Sequence, residues 1–261
     1  MRAIILAAGR GSRLHHYTAN CPKCLTELGG ETLIDRQLKV LRACGVKDIT
    51  IVTGYCAEML DLAETTQVVN DAWATTNMVE SLFAAEGLFG DDLIVSYSDI
   101  VYEYRVLNAL LNSAADISVI VDKAWRSYWE FRFDDPLSDA ESLQMNEQGE
   151  ITDIGNKVTN IDEIDAQYIG LMRFKGSGIN ALQSAWRSMH DKNRPWKHSR
   201  PVEKAYMTDL LMEMILSGSK LNAIPVQNGW LEIDTVDDYE SAIARFTDGS
   251  ITEFFNPAYN E

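Results

Sequence analysis

The chain has 261 residues, 46% hydrophobic and 24% charged, with a formal net charge of -16 and a pI near 4.6. That length suits one large α/β domain or two small ones, and the composition is that of a soluble globular protein. Strong acidity without a local basic stripe argues against nucleic acid as a partner, and the lack of an apolar run of about 18 residues argues against a membrane span.

The opening, MRAIILAAGRG, does not read as a secretory leader, because its apolar run is short and charge follows at once. Residues 2–6 (RAIIL) predict a short buried strand that runs into a Gly-rich loop. The stretch GGETLIDRQLKVLRACGV predicts a helix with Ile34, Leu38 and Leu41 on one face and Gly45 as its stop. DITIVTGY is the next strand, CAEMLDLAE a short helix and QVVN a short strand. NMVESLFAAEGLF spaces Met78, Leu82 and Ala85 helically, DLIVSYSD is a strand, YRVLNALLNSA a helix and DISVIVD a strand. Such alternation predicts a doubly wound, mostly parallel sheet covered on both faces.

Beyond residue 123 the pattern changes. Two short strand-like runs flank Asn146 to Gly149, a hairpin signal. DAQYIGLMRFK is a strand, INALQSAWRSMHDK and VEKAYMTDLLMEMILSG are helices, LNAIPVQ is a strand and VDDYESAIARF a final helix. No repeat or low-complexity linker interrupts the chain, so the second half reads as an elaboration on the same sheet.

Cys21 and Cys24 have CxxC spacing, but a zinc site needs a second ligand pair. His15, His16, His190 and His198 supply none at a metal-ligand spacing, and Cys44 and Cys56 stand apart. A redox motif would open a helix after a strand. The expectation is four reduced cysteines in a cytoplasmic protein.

In open α/β sheets, ligands bind beyond the carboxyl ends of the strands. Gly9 to Arg13, Gly54-Tyr55, Ser98-Asp99 and Asp122-Lys123 all fall at such ends. Ala7, Ala8, Gly9 and Gly11 let backbone N–H groups approach an anion. The loop is neither a Walker A loop nor a dinucleotide GxGxxG, since Leu14 takes the sixth position.

The stretch LAAGRGSRL followed by PKCL resembles the signature of nucleotidyltransferases that join a nucleoside triphosphate to a sugar 1-phosphate or related phosphate ester. Leu6, Ala7, Ala8, Gly9, Gly11, Arg13, Leu14, Pro22, Lys23 and Leu25 meet every fixed position. The resemblance implies a Rossmann-like, GT-A-like fold in one domain. Residues 1–123 would form its nucleotide-binding part, 124–234 its acceptor-binding part and 235–261 a C-terminal helix and tail. It implies that Arg13 and Lys23 contact the triphosphate, and that Mg2+ is held by Asp99, in a VSYSD segment with Ser98 for the usual Gly, and by Asp234. Asp234 precedes Thr235, which with Asp238 spells a capping box.

The nucleotide is expected against Leu6, Ala8, Gly9, Gly11, Ser12, Tyr55, Ser98, and the pair Asn77 and Ser81, which stand one helical turn apart. The alternative is a helix cap for Asn77 and a solvent-facing Ser81. The acceptor is expected against Asp122, Trp125, Trp129, Tyr168 and Glu232. Lys157 is either the lysine that grips the acceptor phosphate or a surface lysine after the hairpin.

The segments NMVESLF, SYSDI, VDKAWRSYW and YIGLMRF resemble the branch that activates small phosphorylated amino compounds with CTP: phosphocholine, 2-aminoethylphosphonate and phosphoglutamine cytidylyltransferases. The partners implied are CTP and a small phosphate or phosphonate acceptor, with product use in a surface polysaccharide, lipid or phosphonate. Trp125, Tyr128 and Trp129 could cage a quaternary ammonium, with Trp196 and Trp230 near other site segments, or could be core packing. The acidic neighbours Glu130, Asp134, Asp135, Asp139 and Glu141 could instead hold a primary amine. A sugar-1-phosphate nucleotidyltransferase using another base stays open, as does the oligomeric state, a homo-oligomer included.

Overall fold

The computed structural model describes residues 1–194 and 200–258. In chain order the first elements are β1 (Arg2–Ala7), β2 (Glu27–Leu28), β3 (Glu31–Thr32), α1 (Leu33–Ala43), β4 (Asp48–Thr53), β5 (Thr66–Val69) and α2 (Met78–Ala84). Then come β6 (Asp92–Tyr97), β7 (Ile100–Tyr102), α3 (Tyr104–Leu111), β8 (Ile117–Asp122), α4 (Trp125–Arg132), β9 (Glu141–Met145) and β10 (Ile151–Lys157). β11 (Gln167–Lys175), α5 (Ser177–Met189), α6 (Met207–Leu216), β12 (Asn222–Val226), β13 (Trp230–Glu232) and α7 (Val236–Asp248) complete the chain.

Seven strands form the main sheet in the order β12-β8-β11-β6-β1-β4-β5. All pairings within it are parallel except those of β11, which runs antiparallel between β6 and β8. The carboxyl ends of β1, β4, β6 and β8 therefore share one edge. Successive residues of β1 serve opposite faces. Ala3, Ile5 and Ala7 join a core with α1, α3, α4 and the C-terminal residues Phe254 and Phe255, while Ile4 and Leu6 join one with α2, α5 and α6. Burial on both faces explains the unbroken apolar runs of these strands.

α1 opens where the Thr32 side chain accepts from the Asp35 N–H, and it buries Ile34, Leu38 and Leu41. The segment CAEMLDLAE forms only a 3-10 turn at Ala57–Met59. β9 and β10 pair as a hairpin, and α4 is a helix where sequence periodicity predicted no element. After α7 the chain folds back: Phe254 packs on Tyr128 and Phe131 of α4, at ring separations of 5.2 and 5.4 Å, and its carbonyl accepts from the Gly229 N–H. No helix of the described residues is long and apolar enough to cross a membrane.

Candidate active site

The loop after β1 turns at Gly11, whose φ of 67° is left-handed, and a Cβ there would lie 2.8 Å from Cβ of Lys23. That contact lays the lysine stem along the loop and carries its ammonium inward. Lys23 Nζ donates to Asp99 Oδ2 at 2.7 Å and to Asp234 Oδ1 at 2.6 Å. Arg13 meets the other oxygen of Asp234 at 2.5 Å. Burial alone would lower the Lys23 pKa, but the two carboxylates outweigh it and hold it above its ordinary value.

Asp234 is held in turn by the start of α7. Asp238 Oδ2 accepts from the N–H groups of Asp234 and Thr235, and Thr235 Oγ1 accepts from the Asp238 N–H, the capping box that the spacing predicts. Asp99 Oδ1 is buried with no hydrogen-bond partner. Two hard carboxylates within reach of one ammonium, one with an orphaned oxygen, fit a magnesium ion that completes its shell with phosphate oxygens and water. Among the described residues no group of three or more metal-ligating side chains occurs, so an all-protein cage is not what this site offers.

Two clefts meet at this cluster. The first is lined by Leu6, Ala8, Gly9 and Gly11 from the loop, by Asn77 and Ser81 of the α2 turn, and by Ser98 and Asp99. Asn77 also caps α2, its side chain accepting from the Met78 N–H, and Ser81 accepts from Asn70 at 3.1 Å. Thr76, just before Asn77, lines the same cleft, as does Trp73, which was not legible as a site residue. Ser12 and Arg13 lie outside it, on an open surface with Arg10, His15 and His16. Tyr55 stands edge-on to Trp73, with Arg10 5.4 Å over its ring, so it backs the cleft without lining it.

The second cleft is lined by Trp129, Tyr168, Trp230 and Glu232, with Asp139 and Glu141 as two further carboxylates and Tyr206 and Thr208 at its side. Arg13, Met78 and Tyr97 line it too, and Met78 and Tyr97 line both clefts. A bulge in β11 between Tyr168 and Met172 shapes this wall. Gly170 there has φ 82°, and the ring of Tyr97 fills the space a Cβ would take, 2.6 Å away. Burial pushes Glu141 up to about 7, helped by Asp139 and Asp209. Burial also pushes Glu232 to about 7 against the pull of Arg132, with Asp99 and Asp234 adding to the rise.

Three expected acceptor residues lie elsewhere. Asp122 is fully buried, and its oxygens accept from Trp230 Nε1 at 2.8 Å and from the N–H groups of Ala124 and Asn228. It closes a turn and does not line the second cleft. Trp125 is buried edge-on against Trp129 and does not line it either. Lys157 is exposed at the end of β10, paired in register with Glu141. The aromatic cage already holds a cation: the Arg132 guanidinium lies 5.3 Å from the Trp129 ring and 5.4 Å from Tyr128. Trp196 lies outside the described residues.

The MobA-like NTP transferase domain matches residues 3–144. The chain belongs to that family. A CTP:phosphoglutamine cytidylyltransferase of Campylobacter jejuni is 35% identical to this nucleotidyltransferase over 258 residues, covering 94% of this chain and 100% of that protein. A choline-phosphate cytidylyltransferase of Streptococcus pneumoniae is 32% identical over 117 residues, 43% of this chain and 51% of the other. Among solved structures, CTP:phosphocholine cytidylyltransferase from Streptococcus pneumoniae superposes with a TM-score of 0.73 at 21% identity, covering 93% of this chain and 97% of that one. The inositol-1-phosphate CTP transferase of T. maritima superposes at 0.69 and 22% identity, covering 95% and 96%. These superpositions share the mixed, mostly parallel sheet flanked by helices.

Arg132 is the buried cation most plainly missed beside the second cleft. Trp125, Tyr128, Trp129 and Arg132 stand three, four and seven positions apart, a helical spacing that would have set the arginine beside the aromatics.

Proposed function

We propose that this nucleotidyltransferase is a magnesium-dependent cytidylyltransferase that moves CMP from CTP to a small phosphorylated amino compound and releases pyrophosphate. The observation that carries the reading is a cleft with three carboxylates, Asp139, Glu141 and Glu232, opening beside the Lys23–Asp99–Asp234 cluster. An acceptor with a phosphate at one end and an ammonium at the other matches both halves. The likeness to the Campylobacter phosphoglutamine enzyme along nearly the whole chain supports CTP as the donor. Residues 1–123 then serve the nucleotide and 124–234 the acceptor, and the four free cysteines suit a cytoplasmic enzyme.

An oxygen of the acceptor phosphate forms a bond to the α-phosphorus of CTP, and the bond from that phosphorus to the bridging oxygen of pyrophosphate breaks. A phosphate monoester is largely dianionic at neutral pH, its second pKa being about 6, so no general base is needed. The obstacle is bringing one anion onto another, and Lys23 and Arg13 are the cations placed to lower it. Asp99 and Asp234 would hold the magnesium ion, which when bound neutralises phosphate charge and makes the phosphorus more electrophilic. Gly9 and Gly11 bring backbone N–H groups to the triphosphate, and Asn77 and Ser81 face the base and ribose. Met78 and Tyr97, shared by both clefts, set the two substrates in line.

Pyrophosphate release tests this. CTP, UTP, GTP, ATP and dTTP are crossed with phosphocholine, 2-aminoethylphosphonate, phosphoglutamine and glucose 1-phosphate in the presence of magnesium. Release with CTP and an amino compound, lost in Asp99→Ala, is expected. Release only with a sugar 1-phosphate overturns the acceptor assignment.

A further inference from the structure

Arg132 ends α4 with its side chain 2% exposed, against Glu232 and Trp129 of the second cleft. Its NH1 donates to Glu232 Oε2 at 2.7 Å, and its Nε and NH2 donate to the two oxygens of Asp238 at 2.9 and 3.2 Å. Two carboxylates from different elements thus share one planar fork, which an ammonium cannot reproduce. The ring of Phe133, with its centroid 4.9 Å away, and those of Trp129 and Tyr128 confine the guanidinium. Tyr128 adds a second hold on the same strand. Its hydroxyl donates to the Glu232 carbonyl at 3.3 Å and accepts from the Glu232 N–H at 2.9 Å.

Glu232 needs these holds. Asp139, Glu141, Asp99 and Asp234 all lie near it, so an unheld carboxylate would turn away from them. The second fork of Arg132 reaches Asp238, whose Oδ2 also accepts from the N–H of Asp234. One buried cation therefore fixes the carboxylate facing the second cleft relative to the loop that carries Asp234.

We propose that Arg132 is a positioning residue for acceptor binding: it holds Glu232 in the orientation that meets the acceptor and ties that carboxylate, through Asp238, to the Asp234 loop. The inference rests on reading the second cleft as the acceptor site.

The test compares Arg132→Lys, Glu232→Gln and the double variant, measuring KM for acceptor and for CTP separately alongside melting temperature. Arg132→Lys is expected to raise the acceptor KM about tenfold, the scale of one charge-assisted hydrogen bond, with the CTP KM within about threefold. Glu232→Gln is expected to act similarly, and the double variant to be no worse than the worse single change, because the Arg132–Glu232 contact is already lost in either one. Should Arg132→Lys fail to fold, Tyr128→Phe is read instead, with an expected rise of about threefold in acceptor KM alone. An unchanged acceptor KM, or effects of the two single changes that multiply, overturns the role of Arg132. If the wild-type enzyme turns over only a sugar 1-phosphate, the amine reading falls, and the same variants, read on that acceptor, still decide whether Arg132 positions Glu232.

Discussion

Replacing Lys23 by Met keeps the length of the stem that lies against Gly11 and removes the charge. In the free protein the cluster is balanced: Lys23 and Arg13 against Asp99 and Asp234, with Lys23 at 2.7 and 2.6 Å from the two carboxylates. Lys23 is 8% exposed at its side chain and Asp234 10%, so water cannot easily take over the lost partner. Breaking a buried pair from one side costs about 3–5 kcal/mol. Asp99 is 22% exposed, which points to the lower end, about 3 kcal/mol. For a domain of this size that is a fall in melting temperature of roughly 6–12 °C. The assay is thermal unfolding in EDTA and again with magnesium. In EDTA the variant is expected to melt low; with magnesium most of the loss returns, because two carboxylates freed of their ammonium bind a hard cation. Magnesium should shift the wild type much less. A variant that melts like wild type in EDTA, or one whose loss magnesium does not repair, would refute the reasoning.

Glu141 is raised to about 7, so its contribution to stability is present below its unfolded value of about 4.3 and is lost as pH rises through about 7. Glu141→Gln is therefore expected to be more stable than wild type by about 1–2 kcal/mol at pH 8 and equal to it near pH 4, as urea unfolding at the two pH values would show. Gly170→Ala combines a left-handed φ with a clash against the Tyr97 ring, a cost of about 2–3 kcal/mol; it should lower the melting temperature and raise KM for both substrates, since that ring lines both clefts. Asp122→Asn puts a donor where three donors converge and should cost about 1–3 kcal/mol, while KM and kcat of the folded enzyme stay near wild type; a selective loss of acceptor affinity would return Asp122 to the binding site.

The signature loop, the strand ends and the Thr235–Asp238 box could be read because each depends on neighbours in sequence. Glycine at 11, Asp three residues after Thr235 and an apolar run before the loop act locally, and tertiary packing left them intact. The direction of β11 could not be read. QYIGLMRFK is apolar enough for burial on both faces, and such a run looks the same whichever way its neighbours point. The same limit hid Tyr97 and Trp73. Tyr97 reaches the clefts because Gly170 on an antiparallel neighbour leaves room for its ring, and Trp73 because the chain folds back beside the first loop. Trp125 was misplaced for a related reason, although Trp129 does line the second cleft: composition shows that aromatics gather, not which cation they gather around. Here it is Arg132, from their own helix.

Met78 and Tyr97 line both clefts, so on the proposed reading they would border the nucleotide on one side and the acceptor on the other. Neither position can be altered for one substrate alone. An engineer who enlarges the first cleft for a purine reshapes the second with the same stroke, and a lineage drifting toward a new acceptor perturbs its donor pocket as it goes. On that reading donor and acceptor preference would be one trait with two readouts, and a library that randomises positions 78 and 97 must be screened on both substrates at once.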